Sequence, residues 1–178
     1  MPDFAVADSV QAVLDFLHTG GIVLWVLLFV TLAMWAAIIE RALFFRLDLP
    51  QLQQAIVERW NARSDRSSWF AEQVRQALIS QGGQAIAKNI DTIKVFVLLC
   101  PLLGLLGTVT GMITVFDVMA ITGTGNARLM ASGISMATLP TLAGMVASLS
   151  GLYFGTLFSK KAESAQQQLD EALQLTFK

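Results

Sequence analysis

Three long stretches of the chain are almost entirely apolar, and polar segments separate them. They cover residues 21–39, 95–120 and 129–158, and the second includes Asp117 near its end. At 1.5 Å per residue the shortest stretch extends roughly 28 Å, about the thickness of the hydrocarbon core of a bilayer. Because lipid offers no hydrogen-bond partners to the backbone, the pattern predicts three transmembrane helices.

The polar segments also have apolar residues at the three- and four-residue spacing of helices. Residues 1–20 are predicted to form an amphipathic helix on the membrane surface. Within 40–94, helices are predicted over 51–61 and 67–81. The tail, 159–178, is predicted to continue the third span as a helix. The expected fold class is therefore all-α, with three transmembrane helices that extend into a cytoplasmic helical bundle.

Two dipeptides in the 40–94 segment are typical helix breakers. Leu49-Pro50 precedes the first predicted helix of the segment, and Gly82-Gly83 follows the second. Proline lacks a backbone donor and glycine is conformationally free, so both pairs are predicted to interrupt the helices.

Basic residues are distributed unevenly among the polar segments. Eleven lie in 40–94 and 159–178, whereas 1–20 has none and the 121–128 loop has only Arg128. The positive-inside rule therefore predicts a periplasmic N-terminus and loop, with the other two segments cytoplasmic. Arg63 and Lys161 are expected inside and Asn126 outside. The first twenty residues lack the positive region that a cleavable signal peptide requires.

Composition supports a membrane protein and gives little support to enzymatic chemistry. Hydrophobic residues make up 54% and charged residues 14% of the 178, with a net charge of -1, so no basic field would attract nucleic acid. Cys100, the only cysteine, cannot form a disulfide within the chain, and His18 is the only histidine. With no metal-ligand cluster, phosphate loop or nucleophile triad, the sequence predicts neither an enzyme nor a cofactor.

Small residues line one side of the second and third spans. In the second span they are Gly104, Gly107 and Gly111. In the third they are Gly133, Ala137, Pro140 or Thr141, Gly144, Ser148, Gly151 and Gly155. Such faces let membrane helices approach closely, so these residues are predicted to serve helix packing.

Two prolines and two threonines lie inside these spans. Pro101 and Pro140 each free a backbone carbonyl one turn earlier, which produces a hinge or a static kink. Thr108 and Thr141 are expected at similar depth near the bilayer midplane. Each hydroxyl either bonds to its own helix or contributes to a polar path. Hydroxyls do not titrate in the useful range, and no carboxylate lies at mid-span, so a proton carrier would have to come from a partner.

The run from Pro101 to Val109, Pro-Leu-Leu-Gly-Leu-Leu-Gly-Thr-Val, resembles the second span of ExbB and TolQ in the ExbB/TolQ/MotA proton-channel family. The pattern Gly133-Ile134, Thr141 and Gly144 is similar to their third span. Two features depart from the family. Met136 stands where these proteins usually carry a glutamate, and the cytoplasmic loop is shorter than in the best-known members.

The resemblance implies an ExbB-like subunit of the bacterial inner membrane. It implies a homopentamer around an ExbD-like single-span partner whose membrane aspartate carries the proton past Thr108 and Thr141. The assembly would energise a TonB-like protein for siderophore or similar nutrient uptake across an outer membrane. A TolQ-like or flagellar-stator-like motor subunit and a non-conducting membrane scaffold remain as alternatives.

Overall fold

A computed structural model of the chain describes residues 2–63, 65, 68–122 and 127–173. The helices, in chain order, are α1 (Pro2–Thr19), α2 (Gly21–Leu43), a short π-helix (Phe44–Asp48), α3 (Leu49–Asn61), α4 (Trp69–Ala87), α5 (Ile90–Thr122) and α6 (Ala127–Ala172). No strand occurs in the part of the chain that the structure describes. The predicted all-α class is confirmed.

Three helical stretches are long and apolar enough to cross a membrane. They are Gly21–Asn61, Trp69–Ile121 and Met130–Ala172. The prediction of three spans is therefore confirmed. The tail also follows the prediction, because α6 continues without a break from the third apolar run to Ala172.

The predicted break at Leu49-Pro50 is wrong, because helical structure continues through it. The π-helix ends at Asp48, and the N–H of Leu49 donates to the carbonyl of Phe44. Pro50 therefore lies in the first turn of α3. A proline is tolerated there because its missing N–H leaves no hydrogen bond within α3 unmade.

The predicted break at Gly82-Gly83 is also wrong. Both glycines are buried inside α4, which begins after the N-cap Ser68 and continues to Ala87. A Cβ at Gly82 would lie 2.5 Å from Leu169 Cδ2 and 3.1 Å from Ile56 Cδ1. The glycines make room for neighbouring side chains.

Some predicted features lie outside the described residues. They are Asn126 of the loop, the basic residue Arg66, Ser67 at the expected start of a helix, and the end of the tail from Gln174 to Lys178.

The chain divides into two compact units. The first unit comprises Met1–Trp35 and Val95–Gly151, and the second comprises Ala36–Lys94 and Leu152–Lys178. Leu17, Leu24, Leu27 and Cys100 form a buried apolar cluster in the first unit. In the second unit the cluster consists of Ile56, Trp60, Ala71, Leu169 and Leu173. The first unit contains the candidate residues Thr108, Thr141, Pro101, Pro140, Gly104, Gly107, Gly111, Gly133 and Gly144, whereas Gly155 belongs to the second unit.

Candidate functional site in the contact between α5 and α6

The glycine face of α5 lies directly against α6 at Pro140 and Thr141. A Cβ at Gly104 would lie 2.9 Å from both the Pro140 carbonyl oxygen and the Thr141 Cα. A Cβ at Gly107 would collide with the Pro140 ring. Pro140 is fully buried in this contact. The two backbones can approach this closely only because α5 has no side chains here.

The same close approach continues toward both ends of the helix pair. A Cβ at Gly111 would lie 2.6 Å from the Ala137 Cα, and a Cβ at Gly144 would lie 2.5 Å from the Cys100 carbonyl oxygen. Gly133 faces Val115 in a similar contact. These glycines are thus used between two helices of one chain.

The two candidate threonines use their hydroxyls differently. Thr108 Oγ1 donates to the Leu105 carbonyl of its own helix at 2.7 Å. Thr141 Oγ1 instead donates across the contact to the Gly104 carbonyl at 3.0 Å. Because Gly104 is opposite Thr141, the two threonines differ in level by one helical turn, roughly 6 Å. Each hydroxyl oxygen keeps lone pairs that can accept a further hydrogen bond.

Ser148 contributes a third hydroxyl to the α5–α6 contact, and the sequence had identified it only as a small packing residue. Pro101 has no N–H, so the carbonyl of Val97 one turn earlier loses its helical donor. Ser148 Oγ donates to that carbonyl at 3.0 Å. Ser148 follows Thr141 by seven residues, and Val97 precedes Gly104 by seven. This antiparallel register is a signal that could have identified Ser148 from the sequence.

Met136, which the sequence resemblance aligned with a glutamate, borders a cavity in the first unit. The cavity has a volume of about 350 Å³ and is also lined by Gly20, Gly21, Thr110 and Thr114. Gly21 has a φ of 68°, a left-handed conformation that favours glycine and lets the chain turn from α1 into α2.

Charged groups are absent from the tightly packed part of the contact. Between Val95 and Gly151, the described residues include the charged side chains of Asp117 and Arg128, and both are exposed. No cluster of metal-binding side chains occurs among the residues that the structure covers. The site therefore offers hydroxyls and backbone carbonyls, which can relay or accept a hydrogen bond but cannot by themselves hold a proton near neutral pH.

Comparison with known proteins identifies the family. The profile of the MotA/TolQ/ExbB proton channel family matches residues 47–171, more than two thirds of the chain. A protein of Synechocystis sp. named "Putative biopolymer transport protein ExbB-like 1" is 45% identical over 87 residues, which cover 47% of this chain and 32% of that protein. The match thus spans about a third of the relative's length. The chain belongs to the MotA/TolQ/ExbB proton channel family.

Proposed function

We propose that this chain is the ring-forming subunit of a motor in the bacterial inner membrane that is driven by the proton-motive force. An ExbD-like single-span protein is its partner, and the motor energises a TonB-like protein for nutrient uptake across the outer membrane. The observation that carries the proposal is the α5–α6 contact, which presents hydroxyls but no titratable group at mid-span. A proton channel needs a group that takes up and releases a proton, so a partner's carboxylate fills that role.

Thr108 is the residue best suited to meet that carboxylate. Its side chain is half-buried, and among the described residues its hydroxyl bonds only within its own helix. A hydroxyl can donate to an ionised carboxylate and accept from a protonated one, so it can serve both states of the proton carrier. Thr141 has its proton engaged by the Gly104 carbonyl, so the oxygen's lone pairs are what it offers.

The orientation is part of the proposal, with the N-terminus periplasmic and the 40–94 and 159–178 segments cytoplasmic. The excess of basic residues in these segments supports it. Cysteines introduced singly at positions 63, 126 and 161 would report the topology in intact cells. The native Cys100 is fully buried, which keeps the background low. Labelling of position 63 by an impermeant reagent would overturn the orientation.

The choice of an ExbB-like role over a TolQ-like or stator-like role rests on the similarity to the Synechocystis protein. Affinity purification of the chain from its own membranes tests this choice. We expect a single-span protein with a membrane aspartate in the complex and, by native mass spectrometry, five copies of this chain. Recovery with Tol or flagellar components instead would assign a different load, and recovery of this chain alone would favour a scaffold.

The function of Thr108 is tested by two substitutions and a matched control. Thr108→Val keeps the shape but removes the hydroxyl, whereas Thr108→Ser keeps the hydroxyl. Thr138 is the control, because its hydroxyl donates to the carbonyl three residues earlier, on Ser135, as that of Thr108 does to Leu105. We expect Thr108→Val to abolish gradient-dependent uptake with the complex intact, Thr108→Ser to keep partial uptake, and Thr138→Val to keep full uptake. Full uptake by Thr108→Val would remove Thr108 from the pathway.

A further inference from the structure

A long apolar groove lies between α2 and α6 in the first unit, and the proposed motor function does not use it. The groove has a volume of about 620 Å³, which is within the range of pockets that hold small-molecule ligands. α2 lines it between Leu24 and Trp35, α6 lines it between Leu142 and Ser150, and Phe16 and Leu17 of α1 complete it. All of these residues belong to the first unit, so the groove is a feature of one compact part of the chain.

The groove has a buried floor and an exposed rim. Leu17 and Leu24 are 6% and 2% exposed and belong to the apolar cluster of this unit. Leu142 and Val146 on α6 are 61% and 69% exposed. Apolar side chains therefore continue from the packed interior to the surface of the spans, where an occupant can enter from the membrane.

The lining offers an occupant apolar contacts and no charge. No charged side chain is among the lining residues, all of which the structure describes. The polar groups include the hydroxyls of Thr31 and Ser150, and Ser150 Oγ donates to the Ala147 carbonyl of its own helix at 2.7 Å. A charged group in the groove would lose its hydration without gaining an ion-pair partner. The groove therefore suits an uncharged, apolar group.

The length of the groove distinguishes a lipid chain from a helix. Eleven positions separate Leu24 from Trp35, so the groove extends about 16 Å along α2. That length is roughly half of the hydrocarbon core of a bilayer, the depth that the acyl chains of one leaflet occupy. The transmembrane helix of a partner or of a second copy crosses the whole core, about 30 Å, and would need a longer groove.

One end of the groove lies close to the start of the first span. Leu24 follows the first residue of the apolar run, Gly21, by three positions, and α1 ends just before that residue. Leu17 of α1 packs in the same cluster as Leu24, so α1 borders the groove at this end. A lipid whose headgroup lies beside α1 can therefore place an acyl chain in the groove.

We propose that the groove holds one acyl chain of a membrane lipid from the leaflet on the side of α1, with the headgroup outside the groove. The chain packs against Leu28 of α2, Ala147 of α6 and Phe16 of α1, so the lipid joins three helices of the unit. The site depends on the membrane location of α2 and α6 and not on the proposed motor function.

Two alanines of α6 provide a test and its matched control. Ala147 is a half-buried residue of the groove, so Ala147→Phe places a ring where the acyl chain would lie. Ala131 is exposed on the same helix and does not line the groove, so Ala131→Phe adds the same ring elsewhere. Each buried methylene strengthens binding by up to about fourfold, so losing a few of them should weaken lipid binding by Ala147→Phe about tenfold or more. Ala131→Phe should change little.

The measurement is native mass spectrometry of the purified complex in detergent, titrated with lysophospholipids, which carry a single acyl chain. The series varies the chain length and compares lysophosphatidylcholine, which has no net charge, with the anionic lysophosphatidylglycerol. We expect saturable binding of one lipid per copy of the protein chain, with equal affinity for the two headgroups. Affinity should rise with chain length and level off once the acyl chain exceeds the groove, about 16 Å. If Ala147→Phe does not fold, this series decides alone.

Four outcomes would overturn the proposal. Affinity that continues to rise beyond that length would indicate unspecific association with the apolar surface of the spans. A preference for the anionic headgroup at every chain length would indicate a headgroup site. Equal binding by the two phenylalanine variants would place the lipid elsewhere. Fewer copies per complex in lipid-free Ala147→Phe would show that another copy of this chain occupies the groove.

Discussion

The two units of the chain hold their helices together by different means. In the first unit, α5 and α6 meet through glycine, alanine and proline, with backbone atoms at the contact. In the second unit, large side chains fill the space, and the fully buried Trp60 and Leu169 belong to its core. This difference in packing corresponds to the surroundings that suit each unit, lipid for the apolar first unit and water for the more polar second unit. Lipid gives apolar side chains no gain on burial, so close packing replaces the hydrophobic effect there.

The side-chain hydrogen bonds that join α6 to the rest of the chain also differ between the two units. In the first unit, short hydroxyls on Thr141 and Ser148 reach carbonyls of α5. In the second unit, long side chains reach carbonyls near the end of α6. Gln53 Nε2 donates to Ala165 at 3.2 Å, and Arg75 Nε donates to Leu173 at 2.7 Å. Short side chains suit backbones in close approach, and long ones suit backbones that a core of side chains keeps apart.

The largest effect is expected from truncating the core of the second unit. Trp60→Ala should lower the free energy of unfolding of that unit by about 3–5 kcal/mol, because it leaves a large cavity. Trp69→Ala is the control, since Trp69 is a tryptophan of the same segment that is 77% exposed. Limited proteolysis of the purified protein would compare the two. Resistance in Trp60→Ala equal to that of the unsubstituted protein would contradict a core held by side chains.

The sequence predicted the helices well where the pattern was long and apolar. The three spans and the continuation of α6 required only periodicity and the demands of lipid on the backbone. The predictions failed at Pro50 and Gly82, where one residue type has two uses. Proline breaks a helix interior but suits a first turn, and glycine ends a helix or admits a neighbouring side chain. The tertiary contacts, such as that of Gly82 with Leu169, decide between the two uses.

A smaller effect is expected from adding one methyl group to the α5–α6 contact. Gly144→Ala would place a Cβ 2.5 Å from the Cys100 carbonyl oxygen, and backbone cannot move aside as a side chain can. We expect a loss of about 1–3 kcal/mol in the free energy of unfolding. Gly155→Ala on the same helix is the control, because its Cβ would lie 3.7 Å from Ile93 Cγ2, an ordinary contact.

Thermal unfolding in detergent would measure both glycine variants. Gly155→Ala should be neutral or slightly stabilising, since alanine is the better helix former. Equal melting temperatures for the two variants would show that the small face of α6 tolerates separation from α5.

The candidate site was less predictable than the fold. Sequence position gave the level of Thr108 relative to Thr141 to within one helical turn, whereas their depth in the membrane stays a prediction. It did not give the hydroxyls' acceptors, because a threonine in a helix has carbonyls of its own helix and of its neighbour within reach. The sequence also did not reveal that Arg41 is buried, because an arginine after an apolar run ordinarily extends its charge into water.

The smallest effect on stability, and the sharpest test of the site, comes from a matched pair on α6. Thr141→Val and Ser148→Ala each remove one hydroxyl that bonds to a carbonyl of α5. Interhelical hydrogen bonds of this kind contribute about 0.6 kcal/mol on average in membrane proteins, so both variants should assemble.

The two variants should differ in uptake. Ser148 donates to the carbonyl that Pro101 leaves without a helical donor, so its loss is expected to affect packing alone. Thr141 lies one turn from Thr108, where the partner's carboxylate is proposed to pass. We therefore expect Thr141→Val to lose gradient-dependent uptake while Ser148→Ala retains it, at similar recovery of the complex and similar melting temperature. If the two variants keep the same uptake, the Thr141 hydroxyl serves only to hold α6 against Gly104, and the polar path must run along Thr108 and the partner without it.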